Sequence, residues 1–155
     1  MNTRRRMLFA LVTLAVPACS ADSAVPTTAK VLTYDQALKE YRDATARLEL
    51  APGATWRATA KGLDPADESG APQMFEAGVG SQGAELQWYC SWAGQALTST
   101  GADQQQALDT LDGFEELGVW QKMDANGHAL FTTILAGARL GDLASLTDYV
   151  DGNCA

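Results

Sequence analysis

The sequence has one histidine and three cysteines in 155 residues. A single imidazole, His128, cannot build a typical zinc site, and no other cluster of soft ligands stands near it. Positive charge is scarce as well, with 11 Lys and Arg against 19 acids and a net charge of -8. An acidic chain repels phosphate backbones and anionic headgroups, so nucleic acid is excluded as a partner. The apolar run Met7–Ala18 has 12 residues, short of the roughly 20 that a spanning helix needs. There is no G-x-S-x-G elbow, and no run alternates clearly enough to signal a strand. Aromatics make up only 8% of the chain, yet three of them fall within the five residues Trp88-Tyr89-Cys90-Ser91-Trp92. That stretch marks the core.

The N-terminus is built for export. Arg4, Arg5 and Arg6 lead into an apolar run that ends in Pro17-Ala18-Cys19, the layout of a signal peptide over residues 1–18. Val16-Pro17-Ala18-Cys19 resembles a bacterial lipobox, in which the cysteine is acylated and becomes the mature N-terminus; Pro17 departs from the usual Ala or Ser. Ordinary secretory cleavage after Ala18 or Ala21 is the alternative. Thr3-Arg4-Arg5-Arg6-Met7-Leu8 also resembles a twin-arginine signal. Cysteine parity favours the lipid. If Cys19 carries acyl chains, Cys90 and Cys154 are left to pair in an oxidising compartment. Removing residues 1–18 takes three arginines and no acids, leaving a body three charges more negative than the whole chain. Attachment by surface charge is then unfavourable, and the membrane is reached through the N-terminal lipid. Residues 19–32 read as the lipid-attachment cysteine and a tether, whose Ser20–Lys30 part would span roughly 18 Å as a flexible coil.

Residues 33–155 read as a single all-α domain, a small bundle of four to five helices with a long loop over about 51–83 and one disulfide. Thr33 caps a first helix to Leu50, with Tyr34, Ala37, Leu38, Tyr41, Thr45 and Leu48 at three- and four-residue spacing. Pro52-Gly53 would end it. The loop that follows is punctuated by Pro and Gly, with a turn of helix expected at Pro65–Ser69 and pinning by Trp56 and Phe75. Ser81 would cap a second helix to Ser99. Asp103 would cap a third, with Leu108, Leu111, Phe114 and Leu117 inward and Gly118 ending it. A fourth would start at Asp124 or Asn126 with Leu130, Phe131, Ile134, Leu135 and Ala138 inward. A last helix through Leu143, Leu146, Tyr149 and Val150 would deliver Cys154.

Pro52-Gly53-Ala54-Thr55-Trp56, Phe75-Glu76-Ala77-Gly78-Val79-Gly80, Trp88 to Trp92, Ala138-Arg139-Leu140-Gly141-Asp142 and Asn153-Cys154 together resemble a group of uncharacterised exported, lipoprotein-like proteins of high-GC Gram-positive bacteria. The similarity runs over about residues 33–155. It implies an envelope location and a pair of cysteines at corresponding places, and no activity.

Several motifs invite chemistry. Gly78-Val79-Gly80-Ser81-Gln82-Gly83 spells G-x-G-x-x-G, but a dinucleotide site needs a buried strand before it and a parallel sheet around it. A flexible lead into the Trp88 helix explains the glycines instead. Asp124-Ala125-Asn126-Gly127 echoes a calcium loop, which Lys122 at the first ligand position defeats. Asp64, Asp67 and Glu68 could face a cation, as any solvated acidic loop could. Asp109, Asp112, Glu115 and Glu116 share one expected solvent face. No cofactor is expected. Trp56, Trp88, Trp92 and Trp120 suit a groove for an apolar, glycan or peptide ligand, and at helical spacing beside a cysteine they suit a core better. The expected function is a non-catalytic envelope lipoprotein module, lipid-anchored on the outer face or else secreted, that binds a partner or small ligand. The alternative is a small extracytoplasmic hydrolase whose catalytic residues the sequence does not name.

Overall fold

The computed structural model describes residues 30–154. The signal segment, Cys19 and the Ser20–Ala29 part of the tether lie outside them. The fold is mostly helical, with one small sheet that the sequence did not signal. Strand β1, Val31–Thr33, pairs antiparallel with β2, Met74–Glu76, setting Leu32 opposite Phe75 on the inward face. Three residues a strand is too short for alternation to stand out. Val31 and Leu32 therefore belong to the folded body and not to the tether.

Helix α1, Tyr34–Thr45, opens on a complete capping box: the Gln36 N–H donates to Thr33 Oγ1, and the Thr33 N–H donates to Gln36 Oε1. Ala37, Tyr41 and Ala44 form its buried face. The helix stops five residues before the expected Leu50, because tertiary contacts capture the chain beyond it. The Trp92 indole N–H donates to the Glu49 carbonyl at 3.0 Å, and the Ala51 N–H donates to Ser91 Oγ at 3.2 Å. Leu48 and Leu50 turn onto a different part of the core.

Helix α2, Val79–Thr98, is the axis of the molecule; α1, α3, α4 and α6 all pack on it. It starts ahead of Ser81, which lies inside it and caps nothing. Gly78 precedes it with a φ of 96°, a left-handed conformation that costs other residues strain. The Gly78 N–H donates to Glu40 Oε2, and Lys122 Nζ donates to the Ala77 carbonyl, so α1 and the α4 end hold this start from two sides.

After α2, the single helix expected from Asp103 divides. Helix α3 is Gly101–Thr110, followed by a 3-10 turn at Leu111–Glu116 and the short α4, Gly118–Gln121. Leu108, Leu111 and Phe114 are buried as expected, whereas Asp103 lies in the first turn and caps nothing. Helix α5, Ala125–Arg139, is capped by Asp124, whose carboxylate accepts the Gly127 N–H. Phe131, Ile134, Leu135 and Ala138 are buried, but Leu130, expected among them, is 50% exposed. Gly141 turns the chain into α6, Ala144–Asn153, and Cys154 bonds to Cys90 with an S–S distance of 2.08 Å.

Two clusters of buried side chains flank α2. One holds Trp88, Tyr89, Phe114 and Phe131 with the inner faces of α3, α5 and α6. The other holds Leu32, Tyr41, Leu63 and Phe75 between α1, the sheet and the loop. Trp56 touches both, and Phe75 is buried, so the long loop is pinned as expected. The expected helical turn at Pro65–Ser69 is absent. Asp67 organises a tight turn there, its carboxylate accepting the N–H groups of Ser69 and Ala71 and the Ser69 hydroxyl.

Candidate functional site

The four tryptophans do not converge. Trp56 sits between the two clusters, its ring edge-on to Tyr41 with centroids 6.4 Å apart. Trp120 lies at the far side of the aromatic cluster, stacked on His128 at 4.3 Å and edge-on to Phe114. Only Trp88 and Trp92, one turn apart on α2, share a cavity. Trp88 is 7% exposed and contributes an edge; Trp92 is half-buried and contributes more.

That cavity is an open trough of about 710 Å³ between the loop after α1 and helix α3. Arg47, Leu48, Glu49, Leu50 and Pro52 line it from the loop, and Gln106 and Thr110 from α3. A smaller hollow of about 240 Å³ shares Pro52, Trp92 and Gln106 with it and runs on to Gln95 and Asp103. The trough exists because α1 stops short. Had the helix continued to Leu50, the segment now strapped to Ser91 and Trp92 could not form the opposite wall. Its size falls within the range of small-ligand sites, roughly 300–1,000 Å³.

The other candidate groups are occupied by structural work. Gly80 and Gly83 are inside α2, not in a flexible lead. A Cβ at Gly80 would lie within 2.0 Å of the Ala37 carbonyl oxygen, and one at Gly83 within 2.3 Å of the Ala60 Cβ. The G-x-G-x-x-G spelling thus records one left-handed turn and two close approaches. His128 places Nε2 2.9 Å from the Trp120 carbonyl, where its N–H donates. The hydrolase alternative needs a base beside a nucleophile, and this imidazole is committed to packing. Asp67 has its carboxyl pKa lowered from the ordinary value, first by the Ser69 hydroxyl and then by backbone N–H groups, which fits a turn-former. Asp109 and Asp112 face Arg139, and with Glu115 and Glu116 they are exposed. No group of three or more metal-ligating side chains occurs among the described residues.

Sequence reasoning missed a buried carboxylate. Glu85 is 7% exposed, and its Oε2 accepts the Val119 N–H at 2.5 Å, fixing the start of α4 against α2. Its place four residues before Tyr89, on the core stripe of α2, was the available signal. A second omission is the small hollow beside the disulfide, about 230 Å³, where Arg57 and Lys61 meet Cys90, Cys154 and Asn153. The Arg57 guanidinium donates to the Cys154 carbonyl there, so loop and C-terminal helix are joined next to the disulfide. Nothing in local sequence pattern links Arg57 to Cys154.

The chain matches no protein-family model, no curated protein and no solved structure. Among the described residues, no helix is long and apolar enough to cross a membrane.

Proposed function

We propose that this protein is a non-catalytic envelope module, lipid-anchored through Cys19, that binds a ligand or partner in the trough at Trp92. The observation that carries the binding half is the trough itself. A helix with helical pattern to Leu50 is cut short, and its continuation is tied by two hydrogen bonds into one wall of an aromatic-lined hollow. Loops held on a rigid scaffold are the usual carriers of binding residues. The anchoring half is supported by the charged and apolar segments before Cys19 and the lipobox-like Val16-Pro17-Ala18-Cys19 in the sequence, and by a disulfide that takes the other two cysteines.

Each half has its own test. Palmitate labelling should mark the wild type and not Cys19→Ala; equal labelling of both, or none in the wild type, removes the anchor. For binding, Gln106→Trp places a large ring into the trough from an exposed position of α3 and should leave the melting temperature unchanged. Crosslinking in the native envelope should capture a partner or ligand with the wild type and lose it with Gln106→Trp. Capture that survives the block would place binding elsewhere.

A further inference from the structure

A disulfide sealed in a core is inert because no thiolate can reach it, and Cys90–Cys154 is not sealed. Both cysteines are half-buried, and both line the hollow of about 230 Å³ that lies away from the trough. That volume is several times the space a water takes, enough for a small thiol. Arg57 and Lys61 are the charged side chains among the described residues that line it, and no carboxylate side chain joins them. Arg57 is fixed there by donating to the Cys154 carbonyl at 3.3 Å. In a chain of net charge -8, the disulfide thus faces a locally positive wall. Exchange begins with an attacking thiolate and ends with a departing one, so positive charge beside the sulfurs assists both.

The two sulfurs are placed differently. Cys90 lies midway along α2, the helix on which α1, α3, α4 and α6 pack. Cys154 ends α6, where it can turn outward with an added group and where the negative end of the helix disfavours a thiolate. Attack therefore falls on Cys154, and Cys90 leaves.

We infer that the Cys90–Cys154 disulfide is a site of thiol–disulfide exchange, entered through the Arg57 hollow by small thiols that carry a carboxylate. The incoming thiolate bonds to Cys154 Sγ as the bond between the two Sγ atoms breaks, and Cys90 Sγ takes the electron pair and then a proton. A second thiol attacks the added sulfur and releases Cys154 as a thiol. Two thiols are oxidised to one disulfide, and the protein gains two electrons and two protons. What opens is the covalent closure of α6 onto α2.

The test treats the oxidised full-length protein, in native buffer, with mercaptopropionate, mercaptoethanol and cysteamine, which carry negative, no and positive charge. Rates per thiolate should rise in proportion to thiol concentration, with mercaptopropionate faster than mercaptoethanol by roughly threefold. Iodoacetamide should label the first freed thiol at Cys90. Arg57→Gln should remove the preference for mercaptopropionate, and Arg57→Lys should keep it. Mercaptopropionate no faster than the other two, as the acidic body alone would make it, overturns the cationic entry. A rate that levels off at the unfolding rate shows the folded disulfide to be closed and overturns the site. An equal change for all three thiols in Arg57→Gln makes Arg57 a structural tie and overturns its part in exchange. First labelling at Cys154 overturns the direction of attack.

Discussion

The two sides of α2 are held by opposite means. On the α5–α6 side the helix offers bulk: Tyr89 is fully buried, with its ring centroid 4.7 Å from Phe114, 4.9 Å from Phe131 and 5.4 Å from Tyr149. On the α1 side it offers the absence of bulk, since Gly80, Gly83 and Ala84 let α1 and the loop come down onto the backbone. The aromatic side is closed covalently by Cys90–Cys154, and the small-residue side by hydrogen bonds that Glu40 accepts and that Tyr41 and Lys122 donate. One helix here carries two clusters on faces that differ in side-chain volume. The trough lies on the aromatic cluster's side, at the loop that leaves α1 and crosses to Trp92.

The largest effect should come from opening the disulfide. Cys90 and Cys154 are 64 residues apart, and closing a loop of that length removes unfolded-chain entropy worth about 4 kcal/mol. Replacing both with Ser should lower stability by that order in denaturant titration. The loss should appear first as fraying of α6 in hydrogen exchange, with α1 and the sheet protected longer. Simultaneous loss of protection on both sides would mean that the clusters do not differ as the packing suggests.

A glycine pair on the same helix tests the other side. Gly80→Ala forces a methyl group against backbone atoms of α1, where nothing flexible can yield, and should cost about 1–3 kcal/mol. Gly94→Ala meets nothing within 4 Å and should gain up to about 1 kcal/mol from helix propensity alone. Thermal melts of the two variants should shift in opposite directions. Equal shifts would show that helix propensity, not the crossing with α1, sets the requirement at Gly80.

Legibility in the sequence followed the same division. Leu108, Leu111, Phe114, Phe131 and Ile134 were readable as core because large apolar residues at helical spacing announce a buried face. The small-residue side was not, because a glycine needed for close approach looks like a glycine that breaks a helix, and so Gly80 and Gly83 read as loop. The three-residue strands were invisible for want of length. The early end of α1 could not be read from Arg47–Leu50 at all, since it is imposed by Ser91 and Trp92, some 40 residues on in the chain. That event also makes the trough. Trp88 and Trp92 could be named as candidates, but Gln106, Arg47 and Asp103 had no local mark connecting them.

Two tyrosines give the smallest and sharpest contrast. The Tyr41 hydroxyl, on the small-residue side, lies 2.8 Å from Gln87 Oε1 and 3.0 Å from the Arg57 carbonyl, tying α1 to α2 and the loop. Tyr41→Phe should cost about 1 kcal/mol, because it removes the hydroxyl that ties two partly buried acceptors together. The Tyr89 hydroxyl, inside the aromatic cluster, has no hydrogen-bond partner among the described residues. Tyr89→Phe should therefore be neutral or slightly stabilising, since it removes a buried polar group that makes nothing. Alkaline pH reads the same difference. Burial raises the Tyr89 phenol far above its ordinary value near 10, with Tyr149 adding to the rise, and burial likewise raises Tyr149 and Tyr41. The unfolded chain ionises these groups near pH 10 while the folded one keeps its protons, so stability is intact below that and falls as pH climbs from about 10 upward. Tyr89→Phe should flatten this fall in circular-dichroism melts taken across alkaline pH. An unchanged slope would mean that the Tyr89 hydroxyl reaches water, and that the aromatic side is less tightly sealed than the side built from small residues.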